Sequence, residues 1–60
     1  MSRWHVSICV IPAGSDSADD EREIENYVVA ETSKAAAIKA IQEWVADDEL
    51  IHFIHVGPKQ

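Results

Sequence analysis

Apolar residues change their spacing twice along this chain, and no other feature restricts its fold as strongly. Trp4, Val6, Ile8 and Val10 alternate with His5, Ser7 and Cys9, the period-2 pattern of a strand with one better-buried face. The strand runs from Trp4 to Ile11, and Pro12 and Gly14 end it, because proline cannot donate to a ladder and glycine suits a turn. A second strand is expected from Ile24 to Glu31, centred on Tyr27, Val28 and Val29. The spacing then becomes helical. Ala37, Ile38, Ala40, Ile41, Trp44 and Val45 form a stripe at i, i+3, i+4, i+7 and i+8. Ala35, Ala36, Ala37 and Ala40 favour helix from Lys34 to about Asp48. Thr32 or Ser33 is the N-cap. Leu50 to Val56 reads as a third strand, closed by Gly57 and Pro58.

Strand, strand, helix, strand predicts an α+β domain of ββαβ topology. A right-handed crossover through the helix sets the third strand parallel to the second. The first strand, the most apolar, then lies between them in a three-stranded sheet of order 2-1-3. The helix packs on one face, with Ile38, Ile41, Trp44 and Val45 against Trp4, Val6, Ile8 and Val10, and Trp44 largely buried. One helix covers one face only. The other face is expected to carry Cys9, Ile11, Tyr27, Val29, Ile51 and Phe53, an apolar surface of the kind that marks an interface. The acidic connection could also cover it, so both a monomer and a homodimer fit.

The chain of 60 residues makes a single domain, 1–60, and a domain this small buries only about 60% of the surface its unfolded form exposes. A catalytic cleft of roughly 300–1,000 Å³ is not expected from so little material. Nothing resembles a secretory apolar region, and no apolar run approaches the roughly 20 residues that span a bilayer. With Cys9 the single cysteine, no internal disulfide forms, and a reducing, cytoplasmic setting is expected.

Residue chemistry argues against catalysis. His52 and His55 have the spacing of a helical ligand pair, but on a strand they point to opposite faces. No metal and no cofactor is expected, because the spacing of a four-ligand zinc site is missing. Cys9 sits mid-strand in an acidic chain, away from the electropositive setting that activates a thiol. There is no phosphate-binding glycine loop and no nucleophile elbow. The abundant carboxylates lie in polar segments, whereas general acids need a pocket that raises their pKa. The chain is read as a binding protein and not an enzyme.

The acids carry the stronger signal. Eleven acids face five Lys and Arg, for a formal charge of −6. Such a surface repels nucleic acid and anionic membrane and favours basic partners. One acidic group runs through Asp16, Asp19, Asp20, Glu21, Glu23 and Glu25, and a second comprises Glu43, Asp47, Asp48 and Glu49. The second lies at the helix C-terminus, where exposed acids oppose the macrodipole at a cost of roughly 0.3–1 kcal/mol each. In an extended segment Glu21, Glu23 and Glu25 share a side at intervals of about 6.8 Å, twice the strand rise. That is near two axial steps of a DNA strand, at about 3.4 Å each. These ten residues are the candidate partner-binding surface.

The run from Tyr27 through Val28, Val29, Ala30, Glu31, Thr32, Ser33, Lys34 and three alanines to Ile38 resembles a strand-into-helix pattern of small phage and mobile-element proteins. Together with length, acidity and the absence of a catalytic motif, the whole chain resembles the small anti-CRISPR proteins, especially DNA-mimicking inhibitors of type I Cascade complexes. That resemblance implies a phage-encoded inhibitor in the host cytoplasm, occupying the basic DNA-binding surface of a Cascade subunit and blocking target DNA, without binding nucleic acid or membrane itself. It carries no individual residue over. Similar layouts also occur in ribosomal and regulatory modules. A second class therefore stands beside the first: an antitoxin-like or assembly module that uses the open sheet face. Converging acidic groups favour the inhibitor, and scattered acids with a dominant apolar patch favour the module.

Overall fold

The computed structural model describes residues 1–14 and 20–59. Its elements follow the order β1 (Ser2–Ile11), β2 (Arg22–Ala30), α1 (Ser33–Trp44) and β3 (Leu50–Lys59). The three strands form one sheet of order β2-β1-β3, with both neighbouring pairs antiparallel. The outer strands therefore run parallel to each other, as a crossover through α1 requires. Fold class, strand order and topology match the sequence reading.

Alternation in β1 builds the core. Val6, Ile8 and Val10 have no exposed surface. They meet Val28 and Ala30 of β2 and Ala36 and Ala40 of α1, all buried. Small residues at i and i+4 put a low ridge against the sheet, so α1 seats closely on it. Ile41, Trp44 and Val45 flank that ridge half-buried, beside Trp4, Ile24, Ile54 and Val56. The expected stripe is thus rotated. Ile38 remains 45% exposed, whereas Trp44 packs against the core as expected.

Thr32 caps α1 with extended backbone, its Oγ1 accepting from the Ala35 N–H at 3.1 Å. The helix stops at Trp44, short of Asp48, because Val45 turns extended while its N–H bonds back to the Ile41 carbonyl at 3.1 Å. Gly14 has φ +82°, a conformation costly for any side chain, which ends β1 as expected. Trp4 is anchored by its indole N–H, which donates to the Ala30 carbonyl at 3.1 Å.

β3 differs most from its expected bounds. It continues through Gly57 and Pro58 to Lys59, because an edge strand tolerates proline where its nitrogen faces away from the ladder. Its pairing with β1 shifts register twice, between the partners of Trp4 and Val6 and between those of Cys9 and Val10. At the first shift Gly57 lies under His5, whose Cβ is 3.5 Å from where a Gly57 Cβ would stand. The second leaves His52 without a partner in β1, since Cys9 pairs with Phe53 and Val10 with Ile51. Simple alternation through His52 and His55 is thereby broken. Ile51 moves to the side of the core residue Val10, and Leu50 takes its place opposite Ile11 on the open face.

Candidate functional site

The face of the sheet away from α1 is polar along its middle. Register places His5 opposite Tyr27, Ser7 opposite Glu25 and His55, and Cys9 opposite Glu23 and Phe53. Because β2 is a regular strand from Arg22, Glu23 and Glu25 share this face, and Glu21 precedes them. Each is held by a partner from another strand. Glu25 Oε1 lies 3.4 Å from His5 Nε2. The Ser7 hydroxyl donates to Glu23 Oε2 at 3.0 Å. Glu21 Oε2 meets His52 Nδ1, and the register shift at His52 is what makes that contact. The glutamates form a row, as alternation predicts. The histidine and hydroxyl partners that fix it come from residues 16 to 31 positions away and were not expected.

This pairing explains an unusual burial. Ser7 points away from α1, yet is only 8% exposed. Glu23 accepts a hydrogen bond from its hydroxyl, so a polar group is covered without being left unsatisfied. Cys9 beside it is half-buried. Desolvation first, then the charges of Glu21 and Glu23, push its thiol pKa up. That shift favours the protonated thiol over the thiolate.

Among the described residues, part of each acidic group lies at one end of the domain. Arg22, at the start of β2, reaches Glu49, just before β3, with Nη2 to Oε2 at 2.7 Å. Asp20, Glu21, Glu23, Asp47, Asp48 and Glu49 thus surround the end where β1 finishes and β2 and β3 begin. Arg22 is the one Lys or Arg there among the described residues. The opposite end holds Arg3, whose guanidinium stacks 4.6 Å from the Tyr27 ring centroid. Lys34 and the backbone of Lys59 lie there too, with Glu31 as the acid between them. Charge is therefore polarised along the strands.

The candidate acids do not play equal parts. Asp16 and Asp19 lie outside the described residues. Glu43 is exposed on α1 beside the edge of β2, apart from the acidic end. Asp47 and Asp48 are exposed in the turn after α1. Glu49 is a correction to the expected set of solvated acids. Its Oε1 accepts from the Ala46 N–H at 2.9 Å and its other oxygen pairs with Arg22. The Ala46 hydrogen bond first, then Arg22, holds its carboxyl below the usual range. Glu49 closes the turn that launches β3, and its side chain is only 12% exposed.

The apolar surface is divided. Tyr27 (47% exposed) and Val29 (49%) lie on β2 towards the Arg3 end, while Leu50 (59%) and Phe53 (53%) lie on β3 at the acidic end. The Glu, Ser and His band runs between them, so no single apolar patch dominates the face. Among the described residues, no cluster of three or more His, Cys, Asp or Glu is arranged to hold a metal ion. No helix there is long and apolar enough to cross a membrane.

One concavity was not expected from so short a chain. A groove of about 300 Å³ runs between Asn26, Tyr27, Val28 and Val29 of β2 and Lys39, Glu43 and Trp44 of α1. Comparison of the chain with protein-family models, curated proteins and solved structures finds no match.

Proposed function

We propose that this protein is a non-catalytic inhibitor that binds the positively charged, nucleic-acid-binding surface of a partner through its acidic end. The partner class implied by the chain's resemblance to small anti-CRISPR proteins is a type I Cascade complex. In that case the protein works in the host cytoplasm and keeps target DNA off a Cascade subunit. The observation that carries the reading is the convergence of Asp20, Glu21, Glu23, Asp47 and Asp48 around one end, bound together by the contact between Arg22 and Glu49. Oppositely charged surfaces steer association and set register. The glutamate row adds rigidity: hydrogen bonds from Ser7 and contacts with His5 and His52 hold its carboxylates before binding, which lowers the ordering cost on association. Each carboxylate has about four lone-pair positions, so a single hydrogen bond leaves acceptor capacity for Lys and Arg of a partner.

The test is a titration of purified type I Cascade at several salt concentrations. Binding should weaken steeply between low and physiological ionic strength, because screening shortens the reach of exposed charges. The substitutions Asp47→Asn and Asp48→Asn together, with Glu49 left intact, should weaken binding while preserving the fold. Salt-independent binding, or parental affinity in that variant, would contradict the proposal.

The second reading, an antitoxin-like or assembly module, draws on the exposed Tyr27, Val29, Leu50 and Phe53. It requires the two apolar groups to be bridged across the polar band. Its signature is association that persists in high salt and is lost on Phe53→Ser.

A further inference from the structure

The two edges of the sheet are built differently. β3 carries two register shifts and the pair Gly57 and Pro58, which are devices that discourage an added strand. β2 has neither. Its nine residues, Arg22–Ala30, pair with β1 without a register shift and contain no proline or glycine. Its outward backbone groups lie off the β1 ladder, and a strand added there would displace the Asn26 side chain from one of them. The Tyr27 N–H turns away from β1 and donates to Asn26 Oδ1 at 2.8 Å, where the carbonyl of an incoming strand would sit. Ladder alternation turns the N–H groups of Glu25 and Val29 the same way. Alongside this edge runs the groove floored by Val28 and Trp44, with Lys39 and Glu43 on its helix side.

We propose that the outer edge of β2 and this groove form a docking site for an extended, positively charged peptide segment of a partner protein, added as a fourth strand antiparallel to β2. Main-chain hydrogen bonds give such a site its hold, and alternate side chains give its selectivity. On the open face the segment meets Val29, Tyr27, Glu25 and Glu23 in turn, which calls for two apolar residues followed by two bases. Its intervening side chains enter the groove over Trp44. Charge selects this occupant over a second copy, because each chain carries a formal −6 and β2 paired with itself brings glutamates near glutamates. The site lies along the strand edge and goes beyond the acidic-end reading.

The probe is the blocked peptide Ac-Val-Leu-Val-Thr-Lys-Thr-Arg-NH2, added to the intact protein while amide exchange is followed by NMR. With peptide at about ten times its dissociation constant, exchange at Glu25, Tyr27 and Val29 should slow roughly tenfold, since opening then requires release. The same peptide with Glu in place of Lys and Arg, or with N-methyl groups at alternate residues, should give no such protection. The methylated peptide tests the strand bonds without altering the protein. Val29→Pro, which removes an outward N–H, should lose the effect. The double substitution Asp47→Asn and Asp48→Asn should keep it. Absence of protection at the three amides would overturn the edge site, as would equal protection by either control peptide. Concentration-dependent protection in the protein alone would overturn it in favour of a second copy. Peptide binding lost in the Asp47 and Asp48 variant would place the contact at the acidic end, leaving the proposed function standing and the edge site refuted.

Discussion

β1 shows two ways of covering a residue on a single strand. On the helix side Val6, Ile8 and Val10 are fully buried among aliphatic neighbours. On the other side Ser7, also buried, lies opposite Glu25 and His55 with its hydroxyl on Glu23. The first kind of burial is non-directional and scales with area. The second is directional, contributes little net stability, and exacts a penalty only when one partner is removed. Stability therefore resides mainly on the helix side.

The largest expected effect tests this division. Ile8→Ala should destabilise the domain by about 2–5 kcal/mol through lost burial and a cavity, enough to leave a chain this small partly unfolded. Ser7→Ala should cost about 0.5–1.5 kcal/mol, the net value of one hydrogen bond. Chemical denaturation of the two variants measures both. Equal losses would erase the distinction between the faces.

A smaller effect sharpens the contrast at the acidic end, where one carboxylate serves the fold. Removing the Thr32 cap sets the scale, as Thr32→Ala should cost about 1 kcal/mol. Glu49 should reveal itself through pH. Its folded-state pKa is depressed by the Ala46 N–H and by Arg22, so its contribution is present above the unfolded carboxylate value of about 4.3. That contribution is lost as pH falls through the lower folded value. Melting temperatures measured from pH 7 downwards should fall less steeply in Glu49→Gln than in the parent within that acid window.

The smallest effect concerns Cys9. Burial and the charges of Glu21 and Glu23 hold its thiol protonated. Glu23→Gln removes one of those charges and should speed alkylation of Cys9 at mildly alkaline pH, read by mass spectrometry. Unchanged kinetics would mean that Glu23 has no part in controlling the thiol.

The sheet order, the Thr32 cap and the glutamate row were legible because each follows from local spacing or from one residue type at one position. Other features depend on contacts between residues far apart. The register shift at His52 arises from pairing with β1 and moves Ile51 off the open face. Ala36, not Ile38, joins Ala40 in facing the core, because close approach of helix and sheet rewards small residues, and a stripe of similar apolar residues does not mark its own centre. Glu49 is set apart from the solvated acids by Arg22, which lies 27 residues away in the chain. The continuation of β3 past Pro58 needed the knowledge that β3 is an edge.

The central claim is that the converging acids occupy a basic DNA site. Loading of labelled target DNA onto purified type I Cascade, with the protein added first and in excess, tests it most directly. The account predicts that DNA binding is abolished by the parent. It predicts that binding returns when Glu23→Gln, Asp47→Asn and Asp48→Asn are combined in a variant with a parental circular dichroism spectrum. DNA that loads normally beside saturating parent protein, or inhibition undiminished in that folded variant, would contradict it.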